Sequence, residues 1–275
     1  PVVAGSADQP LAALAMGLEE DDRAAVSIGT GGTVLLPCPS GAVRPVTPSV
    51  HTLCHVVPGR YLRMCAILSA GVALDWLRES VLAGGGPPPS AEAVDEAAGT
   101  VPPGAGGVLF LPHLSGERTP LLDPDCSGAL LGLRTEHTAA HLARAVEEGV
   151  AFALRAALRA CLDGAAPPRS VLLTGGGSRG ATWAAIVADV LGLPVEVAPT
   201  GEHTAIGAAM LAAVGTDAVE VPPDWASRHL PPARTLLPDP RRGDLYDRLF
   251  EVYERADGAV TETAHALRYL RDRPR

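Results

Sequence analysis

The chain has 275 residues, 47% of them hydrophobic and 19% charged, a composition that can offset chain entropy by burial and so excludes a disordered protein in favour of a globular one. A net charge of −9 with no gathered basic stretch argues against a nucleic-acid partner, and all 22 basic residues are arginine, which removes P-loop and Schiff-base lysine chemistry. No apolar run approaches the roughly 18 residues that cross a bilayer and no basic leader opens the chain, so a cytoplasmic protein without a membrane partner is expected.

Pro1–Gly5 reads as a strand running into a turn at Gly5-Ser6, as in a segment of a longer chain, and a helix is expected from about Gln9 to Leu18. Ala24–Ile28 and Thr33–Leu36 flank Gly29-Thr30-Gly31-Gly32 as a hairpin. Val50–Val57 and Tyr61–Leu68 make a second hairpin about Pro58-Gly59, and Ser69–Leu82 has helical periodicity. Residues 83–107, rich in glycine and proline, read as a connector holding one short polar helix. A buried strand at Val108–Leu111 and a polar loop at Leu114–Asp125 precede a helix over Thr138–Leu162, whose Leu142, Val146, Val150 and Leu154 share a face. Then follow a strand (Ser170–Leu173), a glycine loop (Gly175–Gly180), a helix (Thr182–Leu191), a strand (Val195–Val197) and an alanine-rich helix (Thr204–Val214). This is α/β architecture. Residues 1–215 are therefore assigned to one lobe. Residues 216–275 are assigned to a proline-rich crossing (Pro222-Pro223, Pro231-Pro232, Pro238, Pro240) and a terminal helix or helix pair weakened at Gly258.

Three places carry chemistry. The loop Gly175-Gly176-Gly177-Ser178-Arg179-Gly180 fits G-x-G-x-x-G between a strand and a helix, with Glu196 downstream where a dinucleotide fold places its ribose acid. Side-chain-free backbone lets a ligand approach helix-terminal N–H groups there, although a plain tight turn accounts for the same residues. Gly29-Thr30-Gly31-Gly32 is either an anion-binding nest or only a hairpin turn. Asp8, following Gly5-Ser6-Ala7, is either a helix N-cap or a carboxylate placed to accept a proton from substrate. His51, Cys54 and His55 do not make a zinc site, because an extended chain turns Cys54 away from both histidines. Cys38, Cys54, Cys65, Cys126 and Cys161 contain no C-x-x-C and read as reduced thiols.

Taken together, Pro1–Gln9, Ser27–Gly32, Val50–Arg60, Leu111–Pro120 and Thr174–Arg179 resemble the C-terminal half of the FGGY carbohydrate kinases, most closely their xylulokinase branch. Gly128–Leu133 with His141–Gly149 is similar to the family's C-terminal signature, Glu147 standing where an apolar residue is usual, as a solvent-facing change would allow. The resemblance implies one lobe of the actin-like ATPase (ribonuclease H-like) fold, a mixed sheet flanked by helices. It implies ATP and Mg2+ as cofactors, a sugar as the small-molecule partner, and a separate N-terminal lobe carrying most sugar contacts, without which the chain is not a working kinase. It assigns Asp8 as general base, Gln9 to the sugar, Gly29, Thr30 and Gly31 to the β- and γ-phosphates, and Gly175, Gly176, Gly177 and Ser178 to the adenosine side. Both loops and Asp8 are expected to line one cleft. Xylulose, ribulose, gluconate and glycerol remain candidate acceptors, a non-catalytic nucleotide-binding fragment and an NAD-dependent oxidoreductase remain alternatives, and a homodimer is left open.

Overall fold

A computed structural model describes residues 1–19, 22–39, 47–198, 202–216 and 234–271. Along the chain run α1 (Asp8–Ala15), β1 (Arg23–Ile28), β2 (Gly32–Pro39), β3 (His51–Cys54), β4 (Arg60–Ile67), α2 (Gly71–Trp76), α3 (Ala91–Gly99), β5 (Leu109–Leu111) and β6 (Ala129–Leu131). After these come α4 (Ala139–Leu162), β7 (Ser170–Thr174), α5 (Ala181–Leu191), β8 (Val195–Val197), α6 (His203–Gly215), β9 (Arg234–Leu236) and α7 (Pro240–Arg271). Seven strands form one mixed sheet in the order β3-β4-β2-β1-β7-β8-β9. The hairpin strands pair antiparallel, whereas β1–β7 and β7–β8 are parallel.

The side-chain alternation of a strand divides the helices between two faces. Ala24, Val26 and Ile28 of β1 point to the main core, which holds residues of α2, α3, α4, α5 and α7. Ala25, with Leu35 and Leu172, points the other way onto Ala12 and Ala13 of α1 and onto Met16 just after it. Helix α6 packs beside α1 through Met210 against Leu14 and Ala15. The result is an α/β layered lobe with α1 and α6 on one side and the remaining helices on the other.

Two expectations are revised and one alternative is decided. Residues 1–7 form no strand, and Val2 is fully exposed: a β-prone run becomes a strand only where a partner supplies its ladder hydrogen bonds. The glycine- and proline-rich spacer contributes to the core, because α3 buries Val94 and Ala98 beside α4 and α5. The C-terminal helix is a single 32-residue element. Gly258 faces open space, where its cost is about 1 kcal/mol of propensity, while Tyr246, Phe250 and Tyr253 bind the helix to the main core. The prolines at 222–223 and 231–232 lie outside the described residues.

Candidate functional site

Parallel pairing of β1 with β7 sets Ser27 against Thr174, so the turns leaving these strands, Gly29–Gly31 and Gly175–Gly180, emerge side by side although far apart in sequence. The second turn lies directly on the end of β1. Gly175 has φ +87°, and a Cβ there would sit 2.5 Å from the Ile28 carbonyl oxygen; a Cβ on Gly177 would sit 2.3 Å from Ile28 Cγ2. Any side chain at either position would lift the turn off the strand.

Gly29 and Thr30 from the first turn, with Gly176 and Gly177 from the second, line a cavity of about 470 Å³. Trp183 forms part of its wall, and Glu92 and Asp95 of α3 another part. This volume is in the range of small-molecule sites, and a Cβ on Gly176 would meet nothing within 4 Å, so backbone is open to a ligand there. Three assigned residues are placed differently, the first being Gly31, which does not line the cavity. Gly175 lies beneath the turn, and Ser178 is buried with its hydroxyl donating to the Gly175 carbonyl at 2.7 Å, closing the turn. Arg179 and Gly180 reach the cavity instead.

The first amides of α5 do not await an anion. Asp95 Oδ1 accepts the Trp183 N–H at 2.8 Å and Oδ2 accepts the Thr182 N–H at 3.1 Å. A carboxylate thus occupies the helix N-terminus, and with Glu92 beside it this end of the cavity suits an uncharged, hydroxyl-bearing group better than phosphate. The opposite holds at the first turn. Its Gly29 and Thr30 carbonyls accept the N–H groups of Gly71, Ala70 and Val72 as α2 begins, and the Gly29 N–H closes on the Gly31 carbonyl at 2.9 Å. Among the described residues the Thr30 and Gly31 amides have no acceptor.

Asp8 is exposed at the first position of α1; Ala7 is the N-cap and makes no side-chain bond. Asp8 Oδ1 accepts the Gln9 N–H at 2.8 Å, serving a free first-turn donor. Asp8 does not line the 470 Å³ cavity. Gln9 lines a smaller hollow of about 130 Å³ with Ser27, Thr33 and Thr174, on the α1 face of the sheet but at the same strand ends. The single cleft is therefore corrected to two hollows, one on each face of the sheet.

Glu196 is bonded to Arg23 at 2.8 Å and to Ser170 at 2.7 Å, at the starts of β1 and β7 and away from both turns. No ribose acid stands near the glycine loop from that strand, and the dinucleotide reading loses its second element. His55 spends Nε2 on the Leu18 carbonyl and Nδ1 on the Val57 N–H, and no group of three or more metal-ligating side chains occurs among the described residues. Mg2+ commonly arrives with one or two carboxylates and substrate phosphates rather than in a protein cage, so the donor set here is compatible with an ion carried by the nucleotide. No helix among the described residues is long and apolar enough to cross a membrane.

The Leu111–Pro120 stretch lies apart from the cavity. His113 is buried between Glu117 at 3.1 Å and Asp257 of α7 at 2.8 Å. Burial alone would lower its pKa, but these two hydrogen bonds and the two negative charges raise it to about 9, so it is a cation that ties the loop to the last helix. Glu147 is buried, contrary to the solvent-facing expectation. Sequence reasoning missed α3 as a wall of the cavity; its signal was the polar helix capped by Ser90, with Glu92 and Asp95 spaced to share a side.

The model for the FGGY family of carbohydrate kinases, C-terminal domain, matches residues 24–216. The chain is 35% identical to the xylulose kinase of Escherichia coli (strain K12) over 260 residues, 93% of this chain and 51% of that protein. It is 30% identical to the xylulose kinase of Bacillus subtilis (strain 168), over 98% of this chain and 53% of that protein. The crystal structure of a xyloylose kinase from Brucella ovis superimposes with a TM-score of 0.81 at 33% identity, covering 96% of this chain and 52% of that one. The chain spans about half the length of the curated relatives it matches.

Proposed function

The chain belongs to the FGGY family of carbohydrate kinases and has the actin-like ATPase fold of its structural neighbours, and on that premise we propose that it is the nucleotide-holding half of an ATP-dependent sugar kinase acting on xylulose. One observation carries the reading: the β1–β7 register brings two glycine turns, distant in sequence, onto one cavity of nucleoside size.

Gly176 and Gly177 hold the adenosine, the backbone giving it room, and Glu92 accepts from ribose hydroxyls. Gly29, Thr30 and Gly31 hold the β- and γ-phosphates, through the Thr30 and Gly31 amides that have no other acceptor. ATP, with its Mg2+, supplies the transferable phosphoryl group. Asp8 is exposed at the start of α1 and accepts the proton of a sugar hydroxyl, with Gln9, which lines the smaller hollow, next to it to orient the acceptor. Phosphoryl transfer depends chiefly on positioning and charge stabilisation, which fits a site of backbone amides and one base. The acceptor's remaining contacts come from a second lobe, consistent with relatives twice as long as this chain.

The experiment is reconstitution. Co-expression with the N-terminal half of a xylulose kinase should give xylulose-dependent ADP release that Asp8→Ala abolishes while leaving nucleotide binding intact. Binding without turnover in any such pairing, or an active Asp8→Ala protein, overturns the reading; the first result favours a non-catalytic nucleotide-binding module. Turnover with ribulose, gluconate or glycerol in preference to xylulose would keep the kinase and move the substrate.

A further inference from the structure

Glu147 is the least comfortable residue of the core. It lies on α4, fully buried, and no donor reaches either of its carboxyl oxygens. The cation Arg144 is committed elsewhere: it bonds Glu148 at 2.7 Å and the Tyr246 hydroxyl of α7 at 2.8 Å. From α5 comes Trp183, whose indole N–H donates at 3.1 Å to the backbone carbonyl of Glu147 and not to its side chain. From α3 comes Asp95, another acid, whose Oδ1 accepts the backbone N–H of the same Trp183 at 2.8 Å, so one residue bonds both acids' chains. Two carboxyl groups make a hydrogen bond with each other only when one of them carries a proton. Asp95 is held as the acceptor, because both its oxygens already receive backbone N–H groups of α5. The proton therefore belongs to Glu147.

We infer that Glu147 is a positioning residue for the nucleotide cavity: its carboxyl O–H donates to Asp95 and fixes the carboxylate that both caps α5 and walls the cavity. Burial, and then the negative charge of Asp95, push the Glu147 pKa up to about 9, with Glu148 adding to the rise and Arg144 opposing it. At neutral pH the donor is present. Above about pH 9 it becomes a second anion facing Asp95, and the cap is driven off the Thr182 and Trp183 amides. The inference rests on the nucleotide reading of the cavity for its affinity readout, and on the α5 cap alone for its second readout.

The test compares the wild-type chain with Glu147→Gln and Glu147→Leu between pH 7 and 10, measuring ADP affinity and the amide-exchange protection of Thr182 and Trp183. In the wild type both quantities should fall as pH passes about 9. Glu147→Gln, whose amide donates to Asp95 with no proton to lose, should hold both through pH 10. Glu147→Leu should bind ADP about three- to tenfold more weakly at pH 7, the loss of roughly one hydrogen bond, with no step near pH 9. The same pH profile in wild type and Glu147→Gln, or wild-type affinity and protection in Glu147→Leu, overturns the inference. If no variant binds ADP yet the exchange step appears in wild type and vanishes in Glu147→Gln, the nucleotide reading fails and the positioning of Asp95 stands.

Discussion

Asp95 Oδ1 accepts the backbone N–H of Trp183 at 2.8 Å, joining a helix of the glycine- and proline-rich spacer to the helix that follows the second glycine turn. The bond makes the spacer a wall of the candidate site. Asp95→Ala should cost about 1–2 kcal/mol, the range for a lost helix cap, and should weaken ADP binding together with stability. Denaturant unfolding and calorimetric titration of the same variant check this, and an unchanged ADP affinity would detach α3 from the site.

The two neighbouring glycines of the second turn should behave differently. Gly177→Ala drives a methyl group into Ile28 Cγ2, so the turn or Ile28 must shift, at a cost of about 1–3 kcal/mol and with weaker ADP binding. Gly176→Ala meets nothing within 4 Å and should leave the thermal midpoint unchanged, while its methyl group faces the cavity and reduces ADP affinity alone. Thermal unfolding beside ADP titration separates the two.

Asp8→Asn should leave thermal unfolding and ADP affinity at wild-type values, because the side chain is exposed and lies outside the larger cavity. In the reconstituted enzyme kcat should fall on the order of 10²–10⁴-fold, as for a lost general base.

Glu147 sets a pH dependence whose sign is fixed. Its folded pKa lies near 9 against an ordinary 4.5, so the stability it contributes is fully present below 4.5 and is lost as pH rises through 9. Glu147→Gln should therefore gain on the wild type as pH increases over that window, by at most about 1.4 kcal/mol per pH unit. Urea unfolding of both proteins at pH 5, 7 and 9 measures the difference.

His113 titrates in the same sense from a different cause. Raised from 6.5 to about 9, it contributes stability that is complete below pH 6.5 and lost as pH passes 9. His113→Ala leaves Glu117 buried beside Asp257 without its cation and should cost about 3–5 kcal/mol. Unfolding at pH 7 tests the size, and a shrinking difference between the proteins toward pH 10 tests the cause.

Much of the lobe was legible in local pattern. The hairpin about Gly29–Gly31, the long amphipathic α4 and the β7–turn–α5 unit depend on glycine placement and on periodicities of 2 and 3.6, which neighbouring residues express by themselves. Ser178 was misplaced because its hydroxyl turned inward to close the turn on Gly175, and Glu196, inside a strand, paired with Arg23 across the sheet as register dictates. Glu147 sat in a helical pattern that says which face is apolar but not which neighbouring acid that face will meet.

What the sequence determined by itself is therefore the local grammar: where backbone must lie bare, where helices start and which stripes are apolar. Tertiary structure alone decided that α1 and the larger cavity take opposite faces of the sheet, since a period-two strand presents both faces and only the packing of Ala12, Ala13 and Met16 on Ala25 and Leu172 selects between them. It also decided that burial and Asp95 raise the pKa of Glu147, because the energy of a buried acid depends on whatever distant segment the fold brings against it.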